Sequence, residues 1–108
     1  MKYDRANSSD NFGKTRKEII ILDIRCKDLQ GDLDLSDFNN LKELYCFDNK
    51  LTSLKVSNLN NLWKVDCQRN QLTDLDTHGS SSINYLDLSN NCLTNFQDLL
   101  INLNSTKL

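Results

Sequence analysis

The sequence predicts an α/β-type solenoid: a right-handed coil with a parallel β-sheet on its concave face, mostly short non-helical returns and one short helix near the C-terminus. Three observations predict it. Leu41, Leu62 and Ile83 stand 21 residues apart, and the fourteen residues that follow each of them align. Within each copy the fourth and sixth positions are apolar and the fifth is not, the period-two alternation of a strand with one face buried. A column of asparagines, Asn49, Asn70 and Asn91, recurs three residues after each alternating stretch.

Composition sets the outer limits. The chain has 108 residues, 12.5 kDa, with 38% hydrophobic and 26% charged side chains. One small soluble domain with a modest core fits those values. Thirteen basic and fifteen acidic side chains leave a net charge of −2, which gives nucleic acid and anionic membranes no electrostatic attraction. Neither is an expected partner. The longest apolar run, Ile19 to Leu22, has four residues, far below the ~18–20 a bilayer span needs. Residues 1–18 are polar and contain no apolar signal core, so the expected setting is cytoplasmic and the four cysteines are expected as reduced thiols.

The first copy is expected to begin at Ile19, with Leu22 and Ile24 as the inward residues of its strand. That copy, starting at Ile19, is one residue longer than the others, and the extra residue falls near Gly31. Later copies place Leu44, Val65 and Leu86 at the fourth position, and Cys46, Cys67 and Leu88 at the sixth. Leu51, Leu72 and Leu93 fill the eleventh, then Leu54, Leu75 and Phe96 the fourteenth. A return of about fifteen residues between successive strands forces parallel pairing, because an antiparallel partner needs only a hairpin. No copy stands alone: ordering 21 residues costs ~1–2 kcal/mol each, while six buried side chains supply ~1.5–3 kcal/mol each. Stacking covers the difference.

The phrases "LKELYCFDNKLTSL" and "LWKVDCQRNQLTDL" resemble the leucine-rich repeat family, whose pattern is L-x-x-L-x-L-x-x-[N/C]-x-L at 20 to 29 residues. The resemblance covers residues 19–108 and is to short repeats of the L-x-x-L-x-C-x-x-N-x-L-T-x-L type. It implies a noncatalytic protein-binding scaffold, and arrays of this kind commonly belong to longer proteins.

The remaining elements follow in order. Residues 1–18 are expected as a polar N-terminal tail or partial cap ahead of the array at 19–108. Each Asn is expected inside the turn after its strand, where an amide satisfies both orphaned N–H and C=O groups; the first copy has Lys27 there. Returns such as Leu33, Leu35, Phe38 and Leu54, Val56, Leu59 suit extended or single-turn backbone. In the third copy Leu75, Thr77 and Ser80 occupy those columns, so weak packing and mobility are expected near His78. Phe96, Leu99, Leu100 and Leu103 have helical spacing, with Asn95 as N-cap. Leu108 then opens a fifth copy with no polar closing repeat before the chain ends, which leads us to expect a piece of a longer array. A monomer is expected, with uncapped ends a risk for end-to-end association.

Most chemistry-bearing residues have structural readings. Cys46 and Cys67 share a column filled elsewhere by Ile24 and Leu88, so they read as small buried hydrophobes rather than metal ligands. Cys26 and Cys92, at the eighth and tenth positions, are out of register with each other and form no shared cluster. His78 and Ser80 to Ser82 carry no hydrolase, metal or phosphate motif, so no catalytic residue, metal or cofactor is expected. The outward face of the strands is the candidate binding surface, because its columns vary where the scaffold columns do not. Its residues are Asp23 and Arg25, then Glu43, Tyr45 and Phe47, then Lys64, Asp66, Gln68 and Arg69, then Tyr85 and Asp87. Aromatics beside charges suit protein recognition, and the aspartates suggest a basic partner of unknown identity. The alternative is a regulatory or targeting segment of a larger enzyme, such as a kinase or ubiquitin ligase component.

Overall fold

The computed structural model describes residues 15–94. The chain winds as a parallel-strand β-solenoid of about three turns, and the described residues contain no helix. One side of each turn supplies a three-residue strand: β1 (Ile21–Asp23), β3 (Glu43–Tyr45), β5 (Lys64–Asp66) and β7 (Tyr85–Asp87). The other side supplies β2 (Gln30–Asp34), β4 (Lys50–Lys55) and β6 (Asp74–Asp76). These form two parallel sheets, β1-β3-β5-β7 and β2-β4-β6, with every strand beside its counterpart one turn away.

The register reproduces the columns of the sequence. Leu22, Leu44, Val65 and Leu86 are successive partners, flanked by Ile21, Glu43, Lys64 and Tyr85 on one side and by Asp23, Tyr45, Asp66 and Asp87 on the other. First- and fourth-position side chains, including Leu41, Leu44, Leu62 and Val65, are fully buried. So are Cys46 and Cys67 at the sixth. The second sheet faces them across the interior with Leu33, Leu35, Leu54 and Val56. Each of those pairs is two residues apart, so the returns also alternate, and their backbone groups find partners in the next turn. A second regular sheet is therefore the finer form of the extended return. Its one irregularity is a register shift between Gly31 and Asp32, where their partners Leu51 and Ser53 on β4 flank an unpaired Thr52.

The Asn column works between turns. Asn49 Oδ1 accepts from the N–H of Lys27 and Leu29 in the turn before it, at 3.1 and 3.0 Å, while its Nδ2 donates to Ile24 O and Cys46 O at 2.9 and 3.0 Å. Asn70 and Asn91 repeat the pattern on Leu51 N and Leu72 N. Each amide thus ties its own turn to the preceding one. Lys27 belongs to the first described turn, which has no earlier described turn to serve, and its own N–H is satisfied by Asn49.

The third return is better packed than its sequence implies. Thr77 and Ser80 are buried. Ser80 Oγ accepts from Leu59 N at 2.8 Å and donates to Val56 O at 2.6 Å, so a bonded hydroxyl replaces the apolar side chain of earlier turns. Weak packing at those two residues is not observed, because the hydroxyl satisfies groups a leucine leaves to the backbone. Gly79 beside it has φ +78°, and a Cβ there collides with Asn58 Oδ1. Gly79→Ala is expected to cost about 1–2 kcal/mol from the left-handed backbone alone, read as a lowered urea midpoint.

Thr15 to Glu18, the end of the expected tail, form a turn in which Thr15 Oγ1 donates to Glu18 Oε1 at 2.9 Å, and Arg16 pairs with Asp37 at 2.8 Å. The rest of the tail, the helix expected over 96–103 and the copy expected at Leu108 lie outside the described residues.

Candidate functional site

Each strand of the first sheet ends in a turn whose geometry recurs. The eighth-position residues Cys26, Asp48, Arg69 and Asn90 all have left-handed backbone, with φ of 55, 56, 53 and 58°. Asp and Asn tolerate that region; Arg and Cys do so at greater cost. In the third turn the strained residue gains a compensating contact: the Arg69 guanidinium grips the Asp48 carboxylate with Nε on Oδ1 and with Nη2 on Oδ2 at 2.8 Å. Arg69 holds the Asp48 carboxyl below its ordinary pKa, and Asp48 raises that of Arg69.

The aspartates at the strand ends have a structural task that their outward position conceals. Asp23, Asp66 and Asp87 each turn a carboxylate oxygen onto the N–H two residues on, at Arg25, Gln68 and Ser89. Asp34 and Asp76 do the same for Ser36 and His78 at the ends of β2 and β6. This is the side-chain turn that Asp favours. Gln68 Nε2 and Ser89 Oγ add further donors to Asp66 and Asp87, which are only 9% and 6% exposed. Of the five strands ending in Asp, all use it this way; β3 ends in Tyr45 and β4 in Lys55.

All eleven residues expected on the face lie on the first sheet or the turns that leave it, and they divide into two groups. In one, Arg25 and Arg69, from the first and third turns, stand 5.3 and 5.8 Å from the centroid of the Phe47 ring between them. Arg25 also pairs with Asp23 at 3.1 Å, and Arg69 Nη1 donates to Gln68 Oε1 at 2.7 Å. In the other, the Lys64 ammonium lies 5.2 Å from the Tyr45 ring, 4.9 Å from Tyr85 and 5.9 Å from Trp63. Tyr45 donates its hydroxyl to Glu43 Oε1 at 2.5 Å. That bond holds the phenol proton and raises the Tyr45 pKa above its ordinary value. Trp63, which immediately precedes β5, is 39% exposed and joins this second group.

Chemistry of other kinds has less to build on. Among the described residues no cluster of three or more His, Cys, Asp or Glu has the geometry to hold a metal ion. Ser80 is committed to the backbone on both sides. The buried Cys67 thiol donates to Asp87 O, and its hydrogen bond with Cys46, with burial, pushes its pKa well up. Cys26 and Cys92 are exposed. A thiol reagent is therefore expected to label those two in the native protein and all four only after unfolding, counted by mass spectrometry.

No family model matches the chain, and neither a curated protein nor a solved structure matches it significantly.

Proposed function

We propose that this chain is a noncatalytic protein-recognition module, a short-repeat leucine-rich repeat array that binds a partner protein on the outward face of its first sheet, the concave side of the coil. The family reading is supported by the L-x-x-L-x-C-x-x-N-x-L spacing together with the role of each column. Leucines and cysteines fill the interior, and the asparagines bridge turns.

One observation carries the functional reading. At the fifth position three of the four turns spend an Asp on capping the turn, and the second turn has Tyr45 instead. A scaffold that departs from its own rule gives up a turn-closing hydrogen bond there. The residue gained is a half-exposed aromatic next to Lys64, Tyr85 and Trp63. Aromatics with interleaved cations concentrate binding energy in protein interfaces.

The test is capture of a partner by the folded array, compared with a Tyr45→Ala, Tyr85→Ala double variant of unchanged circular dichroism. Loss of a specific binder by the variant is the expected result. Equal recovery by both removes the site from this face.

A further inference from the structure

Charge on the recognition face is distributed differently from what a count of its residues implies. Its four carboxylates, and that of Asp48 beside them, are all engaged within the chain. Asp23, Asp66 and Asp87 cap turns, Asp48 is gripped by Arg69, and Glu43 accepts the Tyr45 hydroxyl. Two of its cations, Arg25 and Arg69, are paired with carboxylates. Lys64 differs: among the described residues it makes no salt bridge, its ammonium lies among the rings of Tyr45, Tyr85 and Trp63, and Glu43, its partner on the adjacent strand, is bonded to the Tyr45 hydroxyl.

That setting has a definite chemical preference. The rings hold the ammonium in place through their negative faces and exclude part of its water, but they supply no counter-charge. An incoming carboxylate meets a positioned donor, and the rings offer apolar area to the rest of its side chain and to its neighbours. An incoming cation meets repulsion from Lys64, and the nearest aspartates of the face, Asp66 and Asp87, are buried.

We infer that the surface formed by Lys64 with Tyr45, Trp63 and Tyr85 receives an acidic peptide segment of the partner protein, one of whose carboxylate side chains sits on the Lys64 ammonium while an adjacent apolar side chain lies on the exposed Trp63 ring. This rests on the reading of the face as a protein-recognition surface and names the chemistry of the partner. It replaces the basic partner that the aspartate column suggested.

The chain contains one tryptophan, so Trp63 fluorescence reports on this surface. Three tryptophan-free synthetic peptides that alternate Phe with Glu, Gln or Lys serve as probes for the intact chain. The Glu peptide is expected to change Trp63 emission saturably, with an affinity that falls as salt is raised, and the Gln and Lys peptides are expected to leave it unchanged. Lys64→Met keeps the aliphatic stem and is expected to weaken the Glu peptide about tenfold, the size of one charge-assisted hydrogen bond; Lys64→Arg is expected to retain it. Absence of a saturable response to the Glu peptide overturns the inference, as does equal binding of the Gln peptide or insensitivity to Lys64→Met. The broader reading fails separately. A partner lost with the Tyr45, Tyr85 double variant but indifferent to Lys64→Met leaves the recognition face standing without an acidic ligand, whereas a Glu peptide that binds normally to the double variant removes the aromatic face.

Discussion

Asn70→Leu is expected to lower the stability of the folded chain by about 3 kcal/mol, because it leaves several buried backbone groups without partners at ~1–3 kcal/mol each. Leucine matches asparagine roughly in bulk, so the effect is one of hydrogen bonding rather than of volume. Asn70 is only 7% exposed. Its Nδ2 donates to Cys46 O at 3.0 Å and Cys67 O at 3.1 Å, and its Oδ1 accepts from Leu51 N at 3.0 Å. Two turns therefore lose partners together. Water reaches little of the site to replace them. Asn91→Leu makes the comparison internal to the protein: Asn91 forms the equivalent bonds but is only partly buried, so its loss is expected to cost about half as much, consistent with partial rehydration of the freed groups. Urea midpoints at constant slope measure both. An unchanged midpoint for Asn70→Leu contradicts the bridging role of the column.

The bridging explains why so much of the fold was legible. A 21-residue period places chemically identical residues at identical points of successive turns, so a requirement met once is met in every copy and becomes visible as a column. Leu44, Val65 and Leu86 are predicted partners and observed partners. The second sheet was less legible because its alternation is short and interrupted. Leu51 and Leu54 are three apart across the register shift, and only Leu54 and Val56 keep the two-residue step. The left-handed eighth position was hidden for a different reason. Cys26, Asp48, Arg69 and Asn90 share a backbone conformation without sharing a side-chain type, and a column of unlike residues gives a sequence reading nothing to align.

The candidate face shows the same limit at the level of side chains. Alternation leads one to expect Asp66 and Asp87 on the outward side of the strand, but it says nothing about where a carboxylate goes next. Both turn back onto their own chain within two residues. A local signal for this was present, since Asp recurs at the ends of apolar stretches at 23, 34, 66, 76 and 87, and Asp is a strong former of such turns. Taken as a scaffold column, it leaves Tyr45 as the exception. Trp63 carried no signal of its own because its second-position column, Ile20, Lys42, Trp63 and Asn84, precedes the strand. Only the geometry shows Lys64 in contact with its ring as well as with those of the two tyrosines.

Phe38→Ala is expected to cost about 3–5 kcal/mol, the range for emptying a buried aromatic site, and in a solenoid that cost has a location. Phe38 heads the largest fully buried side chains among the described residues. Its backbone closes the first turn, with Phe38 N donating to Leu35 O and Leu41 N donating to Phe38 O, both at 3.0 Å. Leu59 and Ser80 occupy the same column one and two turns later, so the ring fills the first turn and packs toward the second. In a stack where each turn contacts only its neighbours, a defect at one end weakens the interface there and leaves distant interfaces untouched. The expected signature is therefore regional. Ile24 N and Leu35 N, which donate across that interface to Tyr45 O and Lys55 O at 2.8 Å, are expected to exchange hydrogen far faster in the variant. Cys67 N and Arg69 N, which donate to Asp87 O and Ser89 O two turns away, are expected to keep their protection. Uniform acceleration at all four sites means that the turns unfold as one unit. In that case the loss of Phe38 is felt through the whole coil, and its stability cannot be treated as a sum over neighbouring turns.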